Sequence, residues 1–319
     1  MHTTRPFRFG WQISGTRESI REDPRRRIDA ARQAEAHGFD VVLSSDHVGP
    51  GDAPLPQLAA IAASTSAVHV DTFVLNADMR NPVQLAWEAA TIHRMSGGRF
   101  ELGVGAGHSA HEYAETGIEL HPAIIRKEAL AKRVAIIRQL FDGKTVDWSG
   151  EHHHLSGAHI DPAGSDHLPI LIGGNGDALL AHAAQDADII GLQGLGRTLE
   201  DGHRHTVNWS TKHLDAQVAH VRASAGARID DIELNALVQI VTVTEDRAAA
   251  ADAQADVLSR VEGLTAAQLD AVPYVFIGSA SEIAEKLQMC RERWGITYFV
   301  VRELDDFAPV IHACRSASA

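Results

Sequence analysis

The stretch that decides the fold runs His69-Val70-Asp71-Thr72-Phe73-Val74-Leu75, then Asn76 to Arg80, then Asn81-Pro82 and on to Phe100-Glu101-Leu102-Gly103-Val104. Its first segment is rich in β-branched and aromatic residues and reads as a strand. Asn81 is a helix cap and Pro82 suits a first helical turn. Leu85, Ala89 and Ile92 follow at spacings of four and three, one apolar face of a helix. Gly97-Gly98 stops that helix, and Phe100 to Val104 is a second strand. Strand, helix and strand in this order imply parallel pairing through a right-handed crossover.

The same unit recurs on both sides. Upstream, Phe7 to Ile13 is a strand, Pro24 to His37 a helix ended by Gly38, Val41-Val42-Leu43 a strand and Leu58 to Ser66 a short helix. Downstream, Ile124 to Phe141 is a long helix with Leu130, Val134, Ile137 and Phe141 on one stripe. Thr145 to Leu155 is a small β excursion. Ile170 to Ile172, Ile189 to Leu192, Leu234 to Val243 and Tyr298 to Val301 are strands five to eight. Helices are expected at Asp177 to Gln185, Trp209 to Ala225, Arg247 to Val261, after the capping box Ser279-Ala280-Ser281-Glu282, and from Asp305. Gly194 to Asn208 carries no clear pattern. Eight β/α units without an early Gly-x-Gly-x-x-Gly favour a closed α/β barrel, a TIM (β/α)8 fold with insertions, over an open doubly wound sheet. No composition shift divides the chain, so residues 1–319 read as one domain.

Composition excludes several classes of function. The 319 residues are 45% hydrophobic and 22% charged, enough apolar material for a large core. With 42 acidic against 29 basic residues the formal charge is −13, which argues against nucleic acid and against an anionic membrane surface. No apolar run approaches the ~20 residues of a membrane span. No signal-peptide pattern opens the sequence, and Cys290 and Cys314 read as buried or spare thiols, so the expected location is the cytoplasm.

In a barrel the active site lies at the C-terminal ends of the strands. Strand two delivers Asp46-His47, a titratable imidazole beside a carboxylate that can hold either the ring or the backbone. Strand three delivers Asn76, Asp78 and Arg80. Strand four delivers Gly105-Ala106-Gly107-His108, with His111 and Glu112 beyond. Gly173-Gly174-Asn175-Gly176 precedes a helix, where it reads either as an anion site whose N–H groups suit phosphate, the favoured reading in this architecture, or as a plain turn with Asp177 as the N-cap. Gln193 and Arg302 end strands six and eight. His108, His111 and Glu112 have metal-like spacing but lack further partners, and His152-His153-His154 lies away from the strand ends. No metal is expected.

Several of these blocks match a known pattern together. The run from Val70 to Pro82, Ala89-Ala90-Thr91, Ser96-Gly97-Gly98-Arg99-Phe100, Leu102 to Gly107, Gly38-Phe39-Asp40 leading to Ser45-Asp46-His47, Pro169 to Gly174, and Phe276 to Ser279 resemble the bacterial luciferase-like superfamily, in its deazaflavin-dependent branch. The resemblance implies a luciferase-like TIM barrel, often dimeric, binding coenzyme F420 or a flavin such as FMN across the strand ends. It implies that Phe73-Val74, often a non-proline cis peptide in this family, backs the ring, with Asp46, His47, Asn76, Gly105, Ala106 and Gly107 around it. Gly173, Gly174, Asn175 and Gly176 are implied to hold the cofactor phosphate. His47, then His108, then Glu112 are the candidate proton donors.

The sequence also departs from the sugar-phosphate dehydrogenases of that branch. Val48-Gly49-Pro50-Gly51 follows His47 where they carry an aromatic residue, and His108 stands where they carry Glu. Both argue against glucose 6-phosphate. For a polyanionic cofactor tail, Arg80, Arg302 or outer-loop lysines are the candidate basic patch. The expected function is an F420-dependent oxidoreductase transferring hydride to or from a small organic substrate. The alternatives are an FMN-dependent monooxygenase using reduced flavin and oxygen, and a barrel that binds a cofactor or ligand without turnover.

Overall fold

Helix and strand boundaries follow the local signals closely. In the computed structural model, residues 5–13, 23, 25–49, 51–150, 154–164, 166–198, 205–254 and 266–316 are described. The Asn81 side chain accepts from the Val83 and Gln84 amides, opening the helix Pro82–Met95. Ser279 and Glu282 form the expected capping box of Ala280–Trp294, which ends at a left-handed Gly295. Ile283, Leu287, Cys290 and Trp294 are the buried stripe of that helix.

The strands are β1 (Arg8–Ile13), β2 (Val41–Ser44), β3 (His69–Thr72), β4 (Leu75–Asn76), β5 (Phe100–Gly105), β6 (Val146–Ser149), β7 (His154–Ala158), β8 (Ile170–Gly173), β9 (Ile189–Leu192), β10 (Leu195–Thr198), β11 (His205–Val207), β12 (Glu233–Leu237), β13 (Ile240–Val243), β14 (Val275–Gly278) and β15 (Ile296–Val301). The main sheet is ordered β3-β2-β1-β15-β12-β9-β8-β5-β4, and a further β3–β5 pairing closes it. With β3 and β4 as one interrupted strand, it is the eight-stranded parallel barrel of a TIM fold, with helices packed outside.

Three regions differ from the sequence reading. Leu234 to Val243 is not one strand. It breaks after Leu237, and Ile240–Val243 leaves the barrel to pair with β14 in a separate two-stranded sheet. The unpatterned stretch after Gly194 contains the antiparallel pair β10–β11. The turn after Gly107 forms a short helix, Ala110–Thr116. The expected excursion is the β6–β7 hairpin, in which His154 is exposed. His152, His153 and the end of the expected helix at 255–261 lie outside the described residues.

The larger core lies between barrel and helices, and a second apolar cluster, including Leu43, Leu171, Ile189 and Val300, fills the barrel itself. Below it the interior is ionic. Arg8 pairs with Glu233 at 2.5 Å and with Glu101, and His69 meets Glu101 at 2.9 Å. Burial pushes Glu101 up, but Arg8 and His69 outweigh it and hold this carboxylate below its usual range. Asp71, fully buried nearby, is pushed well above the carboxylate range by burial and by Glu101.

Asp188 ties a strand to the helical shell. Its carboxylate accepts from Arg138 at 2.6 Å, His167 at 2.9 Å and the Ile170 amide at 2.8 Å. Burial raises its pKa, but Arg138 and the Ile170 N–H outweigh that, so the net shift is downward. A depressed carboxylate adds stability above its unfolded pKa and loses it as pH falls. Asp188→Asn therefore costs about 2 kcal/mol at neutral pH. The gap from wild type closes below about pH 4, as urea denaturation across pH would show.

Candidate active site

One cavity of about 1270 Å³ opens at the C-terminal end of the barrel, room for a cofactor and a substrate together. Its floor is built by strand register. Parallel pairing sets Gly10 beside Val300 and Trp11 beside Val301, so Gln12 and Arg302 come next on adjacent strands and both line the cavity. Across the floor, Gly105 and Gly173 contribute only backbone. A Cβ on Gly105 would lie 2.8 Å from Val74 Cγ2 and one on Gly173 would lie 3.0 Å from Val74 Cγ1. Their missing side chains thus make room for Val74, whose bond to Phe73 is cis.

Asp46 and His47 divide their work as adjacent residues at a strand end do. The Asp46 carboxylate accepts from Arg80 at 2.5 and 2.8 Å and from the Asn76 amide at 2.8 Å. It thereby holds the loop after β4. Arg80 is spent in this pair and Arg302 lies on the floor, so neither belongs to an outer basic patch. The Asn76 side chain caps that loop by accepting from the Asp78 amide at 3.1 Å. It lies where a Gly107 side chain would be, and Gly107 has φ +71°, so both space and backbone require glycine there.

His47 donates from Nδ1 to Glu112 Oε1 at 2.8 Å. The imidazole is 56% exposed, whereas the Glu112 side chain is 7% exposed. A carboxylate on Nδ1 fixes the ring orientation and leaves Nε2 as the ring nitrogen outside that bond. His108 lies edge-on to His47 with ring centroids 6.1 Å apart. His111 instead pairs with Glu115 at 3.1 Å.

The loop 173–176 runs into the helix Asp177–Asp186, which has no capping side chain. Its first N–H groups are therefore available to an anion. Lys127 reaches across and donates to the Asn175 carbonyl at 2.9 Å, and the Asn175 Oδ1 is buried with no hydrogen-bond partner. Arg126 donates to the Ala106 and Gly107 carbonyls, each at 3.2 Å. One helix, Ala123–Phe141, thus braces both glycine loops. Arg126 and Lys127 belong to no local motif, and sequence reasoning missed both. It also missed His205, which the β10–β11 hairpin brings 4.9 Å from the His108 ring centroid.

This arrangement joins in one cavity the uncapped helix N–H groups beside Lys127 and a hydrogen-bonded histidine–carboxylate pair. No helix among the described residues is long and apolar enough to cross a membrane. Similar sequences include an F420-dependent glucose-6-phosphate dehydrogenase from Nakamurella multipartita, 36% identical over 58% of this chain and 56% of its own length. An enzyme of the same description from Mycobacterium tuberculosis is 34% identical over 66% of this chain and 62% of its own. The matches thus span less than two thirds of these relatives. Among solved structures, an F420-dependent secondary alcohol dehydrogenase in complex with an F420–acetone adduct superposes with a TM-score of 0.75 at 20% identity, over 98% of this chain and 100% of that one. A riboflavin lyase with modified FMN gives 0.77 at 15% identity, over 98% and 92%. These two likenesses establish the fold. By the match of residues 4–297, the chain belongs to the luciferase-like monooxygenase family.

Proposed function

We propose that the protein is an F420-dependent oxidoreductase that moves a hydride between the deazaflavin and a small organic substrate, across a C=C, C=N or alcohol/ketone carbon. The observation that carries this reading is one cavity joining the anion cradle at 173–176, with Lys127, to the His47–Glu112 pair. The residues fit the coenzyme. Uncapped helix N–H groups and Lys127 suit its phosphodiester, and Asn175 Oδ1 is a buried acceptor still lacking a donor. Phe73 and Val74, with Gly105 and Gly107, bound a slot for its ring. F420 supplies the ring carbon that accepts or gives hydride; the protein supplies orientation and the proton.

His47 Nε2 exchanges that proton with the substrate oxygen or nitrogen, and Glu112 holds the ring for it. Asp46 and Asn76 shape the wall. His108, backed by His205, faces the substrate side and is the second candidate for proton exchange. The names of the F420-dependent relatives support the cofactor. Two departures argue against glucose 6-phosphate as the substrate: His108, not an acid, stands directly after Gly107, and no aromatic residue closely follows His47. A cytoplasmic homodimer belongs to the same reading, and Trp87, 61% exposed, is apolar surface for a second copy to cover. Sedimentation at two concentrations tests the dimer.

The first experiment titrates the apo-protein with F420 and separately with FMN, followed by fluorescence. Tighter F420 binding and anaerobic hydride exchange with an alcohol or enone panel, without turnover of glucose 6-phosphate, is the expected result. Preference for FMN with oxygen uptake would establish the monooxygenase instead. Binding without hydride transfer to any compound would leave a carrier. Lys127→Ala should weaken F420 binding roughly ten- to a hundredfold, the loss of one charge-assisted contact; unchanged affinity would remove Lys127 from the cradle.

A further inference from the structure

The cavity floor holds polar groups that neither the anion cradle nor the proton-handling pair employs. Gln12 is 8% exposed, and its Oε1 has no hydrogen-bond partner. Beside it on β15's end lies Arg302, and both line the cavity. Among the described residues no carboxylate pairs with Arg302, and the one side-chain bond of its guanidinium is a 3.4 Å contact to Gln239 Oε1. Burial lowers its pKa, opposed by Glu303. A half-buried guanidinium with unused donors, next to a buried acceptor without a donor, leaves both open to a ligand in the cavity.

The pair selects its ligand. A carboxylate or phosphate satisfies Arg302 but has no proton for Gln12 Oε1. A cyclic imide presents carbonyl, N–H and carbonyl along one edge, so it accepts from Arg302 and from the Gln12 amide while donating to Gln12. We propose that Arg302 and Gln12 are the receptor for the imide edge of the cofactor ring, and that Arg302 makes the site favour the reduced state. This inference rests on the F420 reading. Reduction makes the ring electron-rich, with negative charge gathered at the N1–C2 carbonyl edge, and a neighbouring cation in a sheltered site stabilises that charge.

The test is anaerobic titration of wild type, Arg302→Met, Arg302→Lys and Gln12→Leu with oxidised and with reduced F420. Arg302→Met should weaken the reduced form at least about tenfold more than the oxidised one. For a two-electron couple that ratio lowers the bound cofactor's potential by about 30 mV, read independently against a redox dye. Arg302→Lys should keep most of the wild-type ratio, and Gln12→Leu should weaken both forms without moving the potential. Equal losses for both forms in Arg302→Met, or no loss, would overturn the proposal while leaving the F420 reading intact. Failure of wild type to bind either form would overturn both. If Arg302→Met does not fold, Arg302→Gln carries the same measurement.

Discussion

Replacing His47 with alanine slows hydride transfer by about 10²–10⁴-fold, the usual contribution of a positioned acid or base, and leaves F420 affinity within a few-fold of wild type. The two effects separate because of where the ring sits. It is 56% exposed at the strand end and packs into no core, so its loss leaves the fold intact. Its Nδ1 is committed to Glu112, and the anion cradle lies on other strands. Stopped-flow measurement of the chemical step, with cofactor affinity taken separately, checks the split. A wild-type rate in His47→Ala would end the assignment and move proton exchange to His108. Glu112→Gln, which can still accept from Nδ1, should lose less rate than Glu112→Leu. Equal losses would show that Glu112 does more than orient the ring.

The second large effect is on folding. Gly103→Ala should destabilise the barrel by about 3 kcal/mol or more, beyond the usual cost of overpacking. A Cβ at Gly103 would overlap the carbonyl oxygen of Thr72 on the neighbouring strand. That neighbour is backbone and has no rotamer to escape into. The two strands are also clasped there by the Thr72 hydroxyl, which donates to the Gly103 carbonyl at 2.8 Å and accepts from its amide at 2.8 Å. Relief of the overlap therefore breaks the clasp. At Gly105 the atom in the way is a methyl of Val74, so Gly105→Ala should cost less stability and act on the slot instead. Urea denaturation of both variants tests the order; Gly103→Ala matching wild type would refute the close approach.

Much of the candidate site's lining was legible because the loops that line a barrel's cavity follow strand ends, and strand ends are local features. Asp46-His47, Asn76, Gly105 to Gly107 and Gly173 to Gly176 could each be placed from a β-branched run and the turn that follows it. All of them line the one cavity. The reason for the glycines was less legible. In sequence Gly173 reads as part of an anion site and Gly105 and Gly107 as lining the cofactor ring, whereas in the fold Gly105 and Gly173 first admit Val74, and Gly107 admits Asn76. Lys127, Arg126 and His205 could not be read at all. Each reaches the site from an element whose local pattern shows only a helix or an unmarked stretch.

Sequence by itself determined the succession of strands and helices, their caps, the apolar stripes and the residues at the strand ends. Those depend on interactions between residues a few positions apart. Only the tertiary structure decided the break after Leu237 and the pairing of Glu112 with His47, 65 positions away. It also decided the ionic interior around Arg8 and the placing of Gln12 beside Arg302. These depend on barrel closure and register, which bring together groups that no local periodicity relates.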